Sequence, residues 1–279
     1  MASFLTNLFG GVTPSLRDLP YYQNALQAES SLFSLAKKQH AAAAGSPVSL
    51  NVYDVPLNDS DENFIHTIEA ETPSTAATTT KSDPPLVIMH GYGNGIGYLF
   101  RNLMPIAEAL KTRKVFGIDM LGFGLSSRPD FFKTIKAAGE DPSTVSAAEN
   151  FFVEPLEKWR SEQKIDKMVL CGHSMGGYLS CAYAAKYPER VSSLILLSPV
   201  GVPKPDEEAR AERLKKAPMR FKMLIGLAGS FWNAGATPMS VLRMLPEGRG
   251  KALVDGYVFN RLRSLGEEEK VNLSSYFYR

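Results

Sequence analysis

A chain of 279 residues is long enough for one α/β domain with a sizeable core, or for two small ones. Its formal net charge of +2 makes no global electrostatic case for nucleic acid, so charge has to be read locally. No apolar run approaches the roughly 18 residues of a membrane span, and Cys171 and Cys181 are too few for a disulfide framework and read as free thiols in a reducing compartment, with no metal site.

In chain order, Met1–Val12 is mildly apolar but has neither the basic start of a secretory signal nor the Arg-rich face of a transit peptide. It reads as a frayed or interfacial lead-in, with a mitochondrial address left open. Residues 1–46 form a helical extension, helical above all from Gln23 to Gln39, closing on the low-complexity run His40–Gly45. Strand-like Ser49–Val55 and Phe64–Glu69, joined by a turn around Asn58–Asp61, predict an antiparallel hairpin at a sheet edge. Residues 72–85 are rich in Thr, Ser, Ala and Pro and are expected to form a disordered surface loop.

From Leu86 the pattern changes. Leu86–Met89 is a continuous apolar strand, Leu99–Leu110 a helix, Val115–Asp119 a strand and Ala147–Gln163 a longer helix; the strand beginning at Met168, the helix Met175–Tyr187 and the strand Leu194–Leu197 follow. Continuous apolar strands alternating with helices mean an α/β core, residues 47–202, whose mostly parallel sheet is buried on both faces, with ligands at the carboxyl ends of its strands. After Pro203 the alternation gives way to a largely helical stretch, 203–279, expected to form a cap or lid.

Three loops at those strand ends carry unusual residues: His90–Gly97, Asp119–Ser126, and Gly172-His173-Ser174-Met175-Gly176 with Gly177 behind it. The third has the strand, sharp turn and helix context of a nucleophile elbow, in which the residues flanking Ser174 must lack clashing side chains. Gly172, Gly176 and Gly177 meet that need. The elbow lifts the Ser174 hydroxyl toward the positive end of the following helix, where the Met175 amide can donate to an oxyanion. The glycine spacing of the first loop superficially fits a dinucleotide fingerprint, but Asp119 comes too late to be the ribose-binding acid. The loop is better used to bring the Tyr92 amide over Ser174 as a second oxyanion donor, with His90 and Gly91 shaping it. Asp119 is expected to hold its own turn by local hydrogen bonds, and His173 to be the structural neighbour of the nucleophile.

These loops, with Ala148–Glu154, Glu157–Arg160 and the run from Asp166 to Val191, resemble a phospholipid-acting subfamily of the α/β-hydrolase fold. It contains the N-acyl-phosphatidylethanolamine lipases, the fungal cardiolipin-specific deacylase and a lipase coactivator in which the elbow Ser is replaced. The resemblance is strong over about residues 86–205. It implies an α/β-hydrolase fold with an N-terminal antiparallel hairpin and a helical cap, Ser174 as nucleophile, Met175 and Tyr92 as amide donors, and no cofactor. It further implies cleavage of acyl esters of phospholipids or related lipids. An acyltransferase on lysophospholipids and a non-catalytic lipid-binding or lipase-regulating protein are the alternatives, and retention of Ser174 separates this chain from the coactivator branch.

The fold orders its triad Ser, then acid, then His, yet the four histidines, at 40, 66, 90 and 173, all precede Ser174. Neither Asp206 nor Asp255 is followed by a His, and the subfamily's His-x4-Asp motif is absent. The chain is therefore expected to be an incomplete gene product, lacking the last strands with the acid and the base, and its sheet to end on an unpaired apolar edge. In the cap, Arg210, Arg213, Lys215, Lys216, Arg220 and Lys222 precede the apolar run Met223–Trp232. That suits either a helix lying on an anionic lipid surface or a lid covering the pocket, and points to a cytoplasmic, peripheral-membrane or lipid-droplet location, with no nucleic-acid partner.

Overall fold

The computed structural model describes residues 16–44, 47–57, 62–73, 83–201, 206–219, 242, 244–246 and 248–278. Its sheet has six strands: β1 (Ser49–Pro56), β2 (Phe64–Glu71), β3 (Leu86–Met89), β4 (Val115–Ile118), β5 (Met168–His173) and β6 (Val191–Leu197), in the order β1-β2-β4-β3-β5-β6. The β1–β2 hairpin is antiparallel and β2 joins β4 antiparallel, whereas β4, β3, β5 and β6 run parallel.

The apolar strands alternate between two cores. Leu86 and Ile88 of β3, with Val169 and Cys171 of β5, pack on one face against Tyr22, Leu32, Leu103 and Ala107. Val87 and Met89, with Met168 and Leu170, pack on the other against Val153, Leu156, Trp159, Leu179 and Tyr183. This period of two, with both faces covered, is why β3 and β5 read as uninterrupted apolar runs. The first layer is α1 (Pro20–Ala44) and α2 (Leu103–Leu110), joined by α7 (Arg249–Arg261) and α8 (Glu267–Phe277). The second is α4 (Val145–Glu162) and α5 (Met175–Lys186).

Several boundaries differ from expectation. Helix α1 runs on to Ala44, because the alanine tail has the highest helix propensity of any residue, and it starts with Pro20, where a missing N–H is harmless. The expected helix 99–110 divides into a 3₁₀ turn, Ile96–Leu99, and α2. Pro105 cannot donate to the carbonyl four residues earlier, so the regular helix starts just ahead of it. A short helix, α3 (Phe131–Ala137), was not expected; the Asp130 carboxylate caps it by accepting from Lys133 N at 2.9 Å. Of the expected loop 72–85, residues 74–82 lie outside the described residues, as do the hairpin turn 58–61, Met1–Val12 and the run Met223–Trp232.

The segment after 203 includes α6 (Glu207–Lys216), and within it α7 and α8 pack into the core. Val254, Val258, Leu273, Tyr276 and Phe277 belong to the same core as α1. Their apolar periodicity is that of any buried helix, which sequence alone could not assign to a layer.

At the other end of the sheet, Leu194 to Leu197 of β6 are between 36% and 49% exposed. Among the described residues no strand pairs with its outer edge.

Buried charges fasten α1 to the hairpin. His66 Nε2 lies 2.7 Å from Glu29 and Nδ1 2.7 Å from Asp54, which also takes a 2.6 Å bond from Arg17. Burial pulls the His66 pKa down, but the Glu29 charge and the hydrogen bonds to Asp54 and Glu29 outweigh it and lift the imidazole to about 10.

Candidate active site

Ser174 stands at the carboxyl end of β5, on the residue that opens α5, with φ 54° and ψ −117°. An L-residue with a side chain rarely adopts this backbone; it persists where surrounding structure dictates it. Here Ser174 N donates to Leu197 O at 3.0 Å, while its carbonyl accepts from Gly177 N, Tyr178 N and Val200 N at 3.0, 3.2 and 3.1 Å. The elbow glycines are required by contact. A Cβ on Gly172 would fall 2.3 Å from Gly176 O, one on Gly176 2.4 Å from His90 O, and one on Gly177 2.8 Å from the Pro199 side chain. The Met175 amide occupies the first turn of the twelve-residue helix, at the positive end of its dipole.

The His90–Gly97 loop lies directly against this turn. A Cβ on Gly91 would come within 3.1 Å of the Ser174 Cβ and 3.0 Å of His173 Nδ1. His90 is buried with both ring nitrogens engaged: Nε2 accepts from Met120 N at 3.1 Å, and Nδ1 donates to Gly91 O at 2.8 Å. Its imidazole is thus a latch between two loops. Tyr92 is 49% exposed and stacks edge-on against Phe123 at 5.6 Å, with Phe152 beyond at 6.1 Å. Tyr178 and Val200 are exposed nearby, so the surface around Ser174 is largely apolar. Burial raises the Tyr92 phenol above its ordinary pKa, keeping it neutral.

Asp119 reaches beyond its own turn. Wholly buried, it accepts from Leu125 N at 2.6 Å within the turn, but also from Ile96 N at 2.5 Å in the His90–Gly97 loop. The turn is closed by Ser126, whose hydroxyl donates to Asp119 O at 2.7 Å. Tyr276 donates to the Asp119 carboxylate at 3.4 Å and accepts from Gly97 N at 3.1 Å. Nothing in the pattern around Tyr276 brings it here; the available signal is the density of glycines, at 97, 117, 122 and 124, which marks crowded loops.

Of the other imidazoles, His173 adjoins Ser174 against Gly91, and two lie elsewhere. His40 Nε2 lies 3.5 Å from Glu108, and His66 is held between Glu29 and Asp54. Among the described residues, no side chain hydrogen-bonds to the Ser174 hydroxyl. No cluster of three metal-ligating side chains occurs among them either.

Strand order, an elbow of this conformation and an apposed glycine loop together specify one architecture, and comparison agrees. The family described as alpha/beta hydrolase fold matches residues 84–233. The chain belongs to that family. An Arabidopsis thaliana 1-acylglycerol-3-phosphate O-acyltransferase is 32% identical over 277 residues, covering 95% of this chain and 60% of the relative. A Bos taurus (lyso)-N-acylphosphatidylethanolamine lipase is 35% identical over 171 residues, covering 61% of this chain and 44% of the relative. The chain thus spans less than two thirds of the length of these relatives. Naproxen esterase of Bacillus subtilis shares the fold at TM-score 0.52 and 17% identity, over 95% of this chain and 69% of the esterase. By family the chain thus has the alpha/beta hydrolase fold, and the names of the Arabidopsis thaliana and Bos taurus relatives refer to acylated lipids.

Proposed function

We propose that this alpha/beta hydrolase forms an acyl-enzyme at Ser174 and acts on acyl esters of phospholipids or related lipids. The observation that carries the reading is the Gly91 backbone pressed on a Ser174 held at φ 54° at the head of α5. In the reaction, Ser174 Oγ attacks the acyl carbonyl carbon while its proton passes to a general base. The carbonyl oxygen becomes an oxyanion, received by the amides of Met175 and Tyr92. Collapse expels the lipid alcohol, and an acceptor then takes the acyl group. Water as acceptor makes the protein a lipase; a lysophospholipid hydroxyl makes it an acyltransferase. The names of the two relatives represent both outcomes. The apolar surface of Tyr92, Phe123, Tyr178 and Val200 supports an acyl chain as the bound group.

Full turnover needs a base that the four histidines do not place on the Ser174 hydroxyl, and loss of such a base from a serine triad costs several powers of ten in rate. A non-catalytic lipid-binding role is therefore the competing reading. Labelling with a fluorophosphonate decides: labelling abolished in Ser174→Ala supports the acyl-enzyme, and wild-type protein that takes no label refutes it. Product analysis with and without added lysophospholipid then separates lipase from transferase. The basic residues Arg210, Arg213, Lys215, Lys216, Arg220 and Lys222 and the apolar run that follows them in sequence are proposed to meet anionic lipid surfaces, placing the protein peripherally on membranes or lipid droplets. Charge reversal at Lys215 and Lys216 should weaken binding to anionic vesicles, and unchanged binding would exclude that surface.

A further inference from the structure

Tyr276 lies 179 residues from Gly97 and 157 from Asp119, yet its hydroxyl bonds to both. Its fully buried ring occupies the place where a Gly97 Cβ would stand, only 2.7 Å away. We propose that Tyr276 is a positioning residue for the oxyanion loop, through which helix α8 sets where the Tyr92 amide stands above Ser174. The proposal rests on Ser174 being the nucleophile and adds what holds its hole in register.

Two clamps fix the loop. At its start, His90 is latched to Met120 N. At its end, Ile96 N is bound to Asp119, and Gly97 N to Tyr276, which passes the bond on to the same carboxylate. The stretch between them is open to solvent and turns sharply: Tyr92 is half-exposed and Gly93 turns through φ 71°. The placement of such a stretch follows its ends. Removing the Tyr276 hydroxyl leaves Gly97 N without its acceptor and Asp119 without one of its donors, and slackens the end clamp.

Helix α8 is itself rigidly placed. Glu269 takes a two-pronged bond from Arg101, at 2.8 and 2.5 Å, just beyond the 3₁₀ turn that follows the loop, and another from Gln39 of α1 at 3.2 Å. From the other side, Lys251 and Asp255 of α7 bond to Ser274 of α8. The α7–α8 pair thus reaches the nucleophile through one hydroxyl, and anything that shifts this pair reaches the oxyanion hole.

The test is Tyr276→Phe, which keeps the ring, with amide hydrogen exchange as the first readout. Exchange in the 90–99 segment should rise on the order of tenfold, while the β5–α5 segment 168–186 stays at the wild-type rate. Reaction of Ser174 with a fluorophosphonate should slow on the order of tenfold to a hundredfold in its maximal rate, with unchanged probe affinity, because the hole and not the binding surface is displaced. A second variant, Gly97→Ala, presses on the same ring from the loop side and should give the same segment-limited exchange. Wild-type exchange in the 90–99 segment of both variants, or a rise spread evenly over the molecule, overturns the proposal. If wild-type protein takes no probe at all, the nucleophile reading fails, and the exchange result alone decides the role of Tyr276.

Discussion

Exchanging His66 for Gln should change how the stability of this protein depends on pH. In the fold the imidazole is enclosed by Glu29 from α1 and Asp54 from β1, with Asp119 contributing a weaker attraction, and titrates near 10 instead of 6.5. Holding the proton that much more tightly corresponds to roughly 5 kcal/mol of stabilisation at low pH. Because the folded pKa is raised, this contribution is present in full below about pH 6.5 and disappears as pH climbs through 10. Between pH 6.5 and 9.5 the wild-type protein should therefore lose roughly 3 to 4 kcal/mol from this group. His66→Gln has no proton to lose there, so its own pH slope should be shallower by that amount. It should also be less stable than wild type at pH 6, since it leaves Glu29 buried without its cation. Urea unfolding followed by circular dichroism at pH 6, 7.5 and 9 measures both quantities. Parallel pH curves for the two proteins, or a His66 imidazole resonance titrating near 6.5, would show that the buried pair does not hold the proton as described.

Gly176→Ala puts a methyl group 2.4 and 2.7 Å from two backbone carbonyl oxygens, of His90 and Met89, that have no freedom to rotate away. It should destabilise by about 1–3 kcal/mol and abolish probe labelling of Ser174; a labelled, fully stable variant would disprove the close apposition. In contrast, a Cβ on Gly256 of α7 meets nothing within 4 Å, so Gly256→Ala should raise the urea midpoint, by about 0.5–1 kcal/mol of stability. Asp119→Asn keeps the shape but turns an amide donor toward groups that also donate. The expected loss is about 1–3 kcal/mol, together with faster amide exchange at Ile96 and Leu125, and unchanged exchange there would count against the carboxylate as the shared acceptor.

Local chemistry made much of this legible. The strand, turn and helix around Ser174 and the continuous strands β3 and β5 follow from glycine placement and apolar runs, which depend on neighbours in sequence. Asp119 was legible only in part: its bond to Leu125 is local, but its bond to Ile96 depends on how two loops meet. Tyr276 was illegible because nothing in a helical pattern states which layer the helix joins, and α8 reads equally as lid or core. The N-terminal charge cluster escaped notice for the same reason, since Glu29, Asp54 and His66 are unremarkable until the hairpin and α1 pack together.

The backbone at Ser174 sets folding and chemistry against each other at a single position. Glycine would rest at φ 54° and ψ −117° with less strain than serine. A population of variants selected only for staying folded would drift from Ser at 174, whereas one selected for acyl transfer would keep it. Which way such a population moves records whether the protein is maintained for what it catalyses or merely for its shape.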